Sequence, residues 1–196
     1  MAELSPLRER KQQRAREAIV DAAFELFAER GFADVTVADI AERAEVGRTT
    51  FFRYFGDKQE VVFADEQQIF DGLTAGVRGV ETATAPDLPG ALAQIQAVAV
   101  MLCDEMAADP RRYRDRERLL MDNPELHDRE ERKLRRFAET GSEILREQGA
   151  TEWVATLAPQ LALACFRAAR RLAGTDPKAL APAIRKAFGH LESLGG

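Results

Sequence analysis

The stretch from Thr36 to Lys58, TVADIAERAEVGRTTFFRYFGDK, constrains this chain more than any other. It reads as two short helices around a tight turn. Thr36 is placed to cap the first helix, with Asp39 three residues on in the capping-box position, and Ile40, Ala41 and Ala44 supply an apolar stripe at helical spacing. Glu45-Val46-Gly47 then breaks the pattern. Gly47 is the residue expected to take a positive φ, which lets the chain turn sharply and start again at Arg48. A second helix follows to about Phe55, and the pair is a helix-turn-helix.

Its chemistry is that of a surface presented to duplex DNA. Arg48, Thr49 and Thr50 open the second helix, where side chains of this motif enter the major groove: Arg bonds guanine bidentately, and Thr offers a hydroxyl or a methyl. Phe51 and Phe55, four apart, are expected to face inward. Thr36, Arg53, Tyr54 and Lys58 flank the reader at helix ends or on its rim, where donors to phosphate set register without reading sequence. An ordinary helical hairpin with core aromatics gives no reason for Thr, Gly, Arg-Thr-Thr, Tyr and Lys to share these spacings. For single residues the bland role stays open: Arg53 as a solvated side chain, Thr50 as a cap.

At these residues the chain resembles the TetR family of one-component repressors. Thr36, Ile40-Ala41, Ala44, Val46, Phe51, Tyr54, Phe55 and Lys58 match the family motif, while Glu45, Gly47 and Phe52 stand where it has glycine, serine and tyrosine. The resemblance implies that Lys58 opens a fourth helix against a phosphate and that Tyr54 does similar work. Phe52 packs at its DNA-facing position but cannot donate, so the phosphate clamp there is weaker or re-centred. The resemblance further implies an all-α chain of about nine helices. Residues 1–56 would form a helix-turn-helix domain with a basic N-terminal arm, and residues 57–196 a helical effector-binding and dimerisation domain.

The formal net charge of −5 does not argue against a DNA partner, because affinity follows the local patch. Between Pro6 and Arg16 the chain carries Arg8, Arg10, Lys11, Arg14 and Arg16 against Glu9 alone. Arg10, Lys11 and Arg14 are the arm residues expected on the DNA backbone or in a minor groove; the alternative is a frayed, solvated tail. No run approaches the roughly 18 apolar residues of a bilayer span, and nothing resembles a secretory signal, so the expected location is the cytoplasm with no membrane partner. Cys103 and Cys165 sit among apolar neighbours without a CxxC pair and read as buried thiols, not as metal ligands or a disulfide. No metal or cofactor is expected.

Downstream, a first helix from near Arg8 to Arg30 closes on Gly31 and carries Ile19, Ala22, Ala23, Leu26 and Phe27 as a platform beneath the reader. A long helix is expected to continue from Lys58 through Leu73, with Gly72, Gly76 and Gly79 near its end marking close packing or mobility. Leu88–Ala108 is apolar nearly all round, Arg111–Leu120 is basic on one side, and Pro124 starts a helix to about Gln148 whose HDREERKLRRF segment reads as a salt-bridged solvent face. The last two helices read as a dimer interface: Leu161, Cys165, Ala168 and Leu172 form one stripe, Ala162, Ala169 and Ala173 a small-residue seam, and Leu180, Ile184, Ala187, Phe188 and Leu191 a second stripe. Pro159 and Pro182 either kink these helices or mark later starts.

The expectation is therefore a homodimeric, ligand-responsive repressor on a pseudo-palindromic double-stranded DNA operator. A small lipophilic or acyl-type effector releases it, from a cavity among Phe70, Leu73, Met101, Leu102, Leu120, Met121, Trp153 and Phe166. The stretch ERLLMDNPELHDREERKL is similar to a subgroup responsive to acyl-coenzyme A, which implies Arg112 and Arg116 on phosphates. An enzyme finds little support: His127 and His190 belong to no HxxxH or HExxH pattern, no phosphate loop or GxSxG elbow is present, and Glu130 and Glu131 lie on different helix faces. A helical adaptor or carrier that does not bind DNA is the alternative, with Phe52 as its best evidence.

Overall fold

The structure is a computed structural model that describes residues 6–79 and 86–193; the side chains of residues 6–9, 66 and 68 lie outside the described residues. Ten helices and no strands are present among them. They fall into two compact units, divided between Asp65 and Glu66.

The first unit holds α1 (Pro6–Arg30), α2 (Val37–Arg43), α3 (Arg48–Tyr54) and α4 (Lys58–Val62). The apolar face of α1 buries Ile19, Val20, Ala23, Leu26 and Phe27, and against it are buried Ile40 and Ala41 of α2, Phe51 of α3, and Val61 and Val62 of α4. Because Val61 to Ala64 are all buried in this core, the unit extends past the boundary at residue 56 expected from the motif. The long helix expected from Lys58 is likewise two: α4 stops at Val62, Phe63 and Ala64 turn back onto Glu60 and Val61, and α5 (Glu66–Gly79) starts afresh.

The turn of the motif is built differently from the expectation. Gly47 has an ordinary extended backbone (φ −74°, ψ 150°) and serves as N-cap of α3 without a side chain to bond it. The left-handed residue is Glu45, at φ 54°. Its N–H donates to Glu42 O at 3.0 Å and the Val46 N–H donates to Ala41 O at 2.9 Å. That is the double bond of a Schellman closure with a glutamate where glycine is favoured. The end of α8 repeats the same pair, Gly149 to Arg146 and Ala150 to Leu145, with glycine in place at φ 85°.

The second unit contains α5, α6 (Leu88–Met106), α7 (Pro110–Asp122), α8 (Pro124–Glu147), α9 (Glu152–Ala173) and α10 (Pro177–Glu192). Helix starts follow a repeated local rule. Asp87, Asp109 and Asp176 accept N–H bonds from the first turns of α6, α7 and α10, and Pro89, Pro110, Pro124 and Pro177 stand in first turns where no N–H is needed. Pro159 and Pro182 lie inside α9 and α10, not at their starts. Gly72 and Gly76 let α5 come close to α6: a Cβ on Gly76 would stand 2.8 Å from Val98 Cγ1, and one on Gly72 3.0 Å from Leu102 Cδ2.

The small-residue seam expected at a dimer interface is internal. Ala162, Cys165, Ala169 and Ala173 of α9 are buried with Leu180, Ile184 and Phe188 of α10 in the core of this unit. The outer face of α9 instead presents Trp153, Leu157, Ala164, Ala168 and Leu172. The basic side of α7 and the charged segment of α8 also turn partly inward. Arg170 donates to Glu117 and Glu130 at 2.6 Å each, and Arg116 donates to Glu117 at 3.1 Å and to Glu130 at 2.9 Å. Burial alone would raise the Glu130 carboxyl, but the two guanidiniums hold it below its ordinary 4.5. Glu130 is thus a buried tie between α7, α8 and α9, while Glu131, on another face, pairs with Arg167.

Replacing Glu45 by glycine removes the left-handed strain of a side-chain-bearing residue. The change is expected to stabilise the first unit by about 0.5–1 kcal/mol. Denaturation of the full chain followed by circular dichroism checks this; an unchanged or lowered midpoint would mean that the glutamate side chain contributes more than its backbone costs.

Candidate functional site

The reader tip is exposed above a buried ring. Phe51 is wholly inaccessible, edge-on to Phe52 and 5.9 Å from Phe55 between ring centroids. One turn back, Arg48 and Thr49 are exposed and Thr50 half-buried. The N–H groups of Thr50 and Phe51 donate to Gly47 O at 2.8 and 3.1 Å, so all three side chains leave from a closed helical turn. Phe52 is exposed, and the Arg53 guanidinium lies 5.1 Å over the half-buried Tyr54 ring. Arg48, Thr49, Thr50, Phe52, Arg53 and Tyr54 are therefore gathered on this one short helix.

Other expected contacts have work inside the fold. Thr36 caps α2: its hydroxyl accepts the Asp39 N–H at 3.2 Å and bonds the Asp39 carboxylate, which also accepts the Thr36 N–H at 2.8 Å. Those bonds hold the Asp39 carboxyl below its usual range. Lys58 departs further from the phosphate role. Its ammonium donates to three main-chain carbonyls, Phe32 O at 2.7 Å, Val35 O at 2.9 Å and Ala33 O at 3.1 Å, and lies 4.5 Å over the Phe32 ring. All three of its protons are used. Nothing in the motif's spacing reveals this, because the carbonyls belong to the loop after α1.

The basic N-terminal stretch rides on helix α1 and is not an extended arm. Arg10, Lys11 and Arg14 are exposed there, whereas Arg16 turns inward to donate to Ala64 O and lies 5.5 Å over the Phe55 ring; the side chain of Arg8 is outside the described residues. Arg43 fixes α2 on α1 with a bidentate pair to Glu29 at 3.0 and 2.8 Å and a bond to Glu25 at 3.3 Å.

The second unit holds a partly open cavity of about 130 Å3. Of the eight expected wall residues, Leu73, Leu102 and Phe166 line it. Phe70 does not: it stacks on Phe137, itself a wall residue, at 5.1 Å and carries Arg136 at 5.3 Å. Leu120 is buried elsewhere, and Met101, Met121 and Trp153 are exposed. The rest of the wall includes Ile69 and Val77 of α5, Met106 of α6, Leu134 and Phe137 of α8, Pro159 of α9 and Phe188 of α10. The helical periods Ile69–Leu73–Val77 and Leu134–Phe137–Ala138–Gly141 carried a legible signal for two sides of it. Arg116 does not stand free for a phosphate, since Glu117 and Glu130 hold it; Arg112 lies on α7 with Asp109 at 3.9 Å. Both cysteines are buried thiols, and burial pushes Cys103, which touches the cavity, up to about 12. His127 and His190 are both exposed.

The chain thus carries Arg48 and Thr49 exposed on a helix-turn-helix, and a second all-helical unit with an apolar cavity. Residues 19–64 match the family described as bacterial regulatory proteins, tetR family. Over these residues, within the first unit, the chain is similar to that family's DNA-binding region. It is 39% identical over 71 residues to the HTH-type transcriptional regulator TcmR of Streptomyces glaucescens, a match covering 36% of this chain and 31% of that one. The matched stretches span about a third to a half of the length of the first curated relatives. Its fold is similar to that of SmeT in a triclosan complex, with a TM-score of 0.59 at 20% identity over 90% of each chain. It is also similar to FadR of Thermus thermophilus in complex with lauroyl-CoA, with a TM-score of 0.54 at 25% identity over 88% of this chain and 91% of that one. These relatives are regulators, not enzymes.

Lys58→Met leaves three carbonyls without their shared cation. It is expected to lower the stability of the first unit by about 1–3 kcal/mol. Urea titration checks this. A phosphate role alone would leave the midpoint in place and reduce only the salt dependence of DNA binding, by about one unit of slope.

Proposed function

We propose that the chain is a homodimeric repressor that binds a pseudo-palindromic double-stranded DNA operator through α3 and is released by a small lipophilic effector held in the second unit. The observation that carries this reading is the tip of Arg48 and Thr49, both exposed, with the half-buried Thr50, above a fully buried Phe51. Arg48 is the base reader, through a bidentate bond to guanine; Thr49 and Thr50 add hydroxyl and methyl contacts. Arg10, Lys11 and Arg14 on α1, with Arg53 and Tyr54, supply phosphate contacts. With Phe52 unable to donate, these carry the backbone clamp.

Dimerisation follows from physical need as well as from the outer face of α9. One short reader touches few bases, whereas two readers about 34 Å apart meet successive major grooves. Trp153 and Leu172 are 83% and 80% exposed, far more than large apolar side chains on a monomer normally are when aligned on one helix. Antiparallel pairing of α9 with α9 of a second copy, about a two-fold axis in the middle of the helix, sets Trp153 against Leu172 and Leu157 against Ala168. Trp153 then meets the smaller Leu172, and Leu157 the smaller Ala168.

The effector acts only through unequal affinity for the DNA-binding and released forms. SmeT and FadR, in the complexes named above, hold triclosan and lauroyl-CoA. Of the lipophilic and acyl-type classes, the apolar cavity and the Glu-bound Arg116 favour the first here.

Fluorescence anisotropy with the DNA upstream of the chain's own coding region tests the regulator reading. Affinity is expected to fall steeply with salt, and Arg48→Ala to cost about 1–3 kcal/mol at one symmetric pair of positions while nonspecific binding persists. Salt-independent or absent binding would favour an adaptor. For the dimer, Leu172→Asp is expected to yield monomers in sedimentation velocity at micromolar protein with helicity intact; an unchanged dimer would place the interface elsewhere.

A further inference from the structure

The wall of the cavity in the second unit has one chemical character. Its side chains are aliphatic, aromatic or sulfur-bearing: Phe137, Phe166 and Phe188 supply three rings, Met106 a thioether and Cys103 a thiol. Among the described residues, no oxygen- or nitrogen-bearing side chain lines it. The thiol stays neutral across ordinary pH, because burial pushes it up to about 12. Two arginines on the Phe166 side of this wall are matched by carboxylates. Arg170 lies 5.7 Å from the Phe166 ring centroid and is held by two carboxylates at 2.6 Å each, and Arg116 is held by the same two. A carboxylate or phosphate buried against this wall would lose its hydration without a polar partner there to replace it.

Size narrows the class further. The cavity measures about 130 Å3. An apolar cavity of about 150 Å3 stays dry and takes up a guest the size of benzene. This cavity is partly open, and the apolar space inside it is of the scale that accepts a single ring. Three phenylalanine rings and a methionine offer the edge and face contacts that favour an aromatic guest over an aliphatic one of equal volume.

We infer that the cavity is a site for an uncharged, single-ring aromatic molecule, recognised by shape and apolar contact alone and without an ionic anchor. This rests on the regulator reading above, in which occupancy of the second unit changes DNA affinity. The helix that follows the DNA-reading unit in the chain, α5, contributes Ile69, Leu73 and Val77 to the wall, so a guest bears directly on that helix.

Differential scanning fluorimetry of the full chain with toluene, benzoate and dodecanoate tests the assignment. Toluene at saturation is expected to raise the melting temperature by several degrees, while benzoate and dodecanoate at equal concentration leave it unchanged. Two variants control for the place of binding, with circular dichroism confirming their fold. Ala138→Leu, which fills the wall, is expected to lose the toluene shift. Leu163→Ala, which opens it, should keep the shift and add one for naphthalene. An equal shift with benzoate or dodecanoate, no shift with toluene, or a toluene shift that survives Ala138→Leu while Leu163→Ala gains nothing overturns the assignment. Operator release is read separately by anisotropy. Toluene binding without release leaves the site standing and refutes its regulatory role; operator binding without any toluene shift refutes the site and leaves the regulator standing.

Discussion

A helix of seven residues does not hold its shape in water. Isolated helices shorter than about 12–15 residues are marginal even in favourable sequences, and α2 and α3 are half that length. What holds α3 is Phe51, buried completely against the platform of α1, with Phe55 closing the far end. The orientation of Arg48 and Thr49 is therefore a property of the core beneath them and not of their own turn. The same reasoning explains where the cations of this unit went. Lys58, Arg16 and Arg43 face main-chain carbonyls or carboxylates of neighbouring elements, and so fasten α4, α1 and α2 around that ring. The cations behind the tip hold it still.

Much of this was legible because it is local. The Thr36 capping box, the Asp-Pro starts of α7 and α10, the Gly31 closure of α1 and the stripe of α1 all depend on residues within a few positions of one another, and each stands where spacing put it. The turn shows the limit of such reading. Glycine was expected to take the left-handed conformation because it is the residue that does so without strain, yet Glu45 takes it, two residues earlier. The closing hydrogen bonds count from the end of α2 and so select the position whatever residue occupies it. Local chemistry predicted the motif; hydrogen-bond register chose the residue.

Tertiary placement was less legible. The alanine seam of α9 has the composition of an interface between chains and the location of an interface between helices of one chain, since a close-packing surface has the same sequence signature in both. The cavity wall was harder still: five of its eight expected residues lie elsewhere, because an apolar residue on a helix states that it is buried or exposed on a face but not what opposes it. Glu130 is the clearest case. Within HDREERKLRRF it is one charge among many, and only the arrival of Arg116 and Arg170 from two other helices makes it a buried carboxylate that ties three helices together.

The glycines of α5 carry a consequence for which substitutions the second unit can absorb. With Val98 Cγ1 only 2.8 Å from where a methyl on Gly76 would sit, the backbone of α5 already rests on its neighbour. Dimensions on that side of the hollow are therefore set by helix spacing, and no gain of bulk at Gly76 is tolerated without displacing α5. Changes in the size of the hollow are therefore left to α8 and α9, at Ala138, Leu163 or Phe166, whose side chains form its wall.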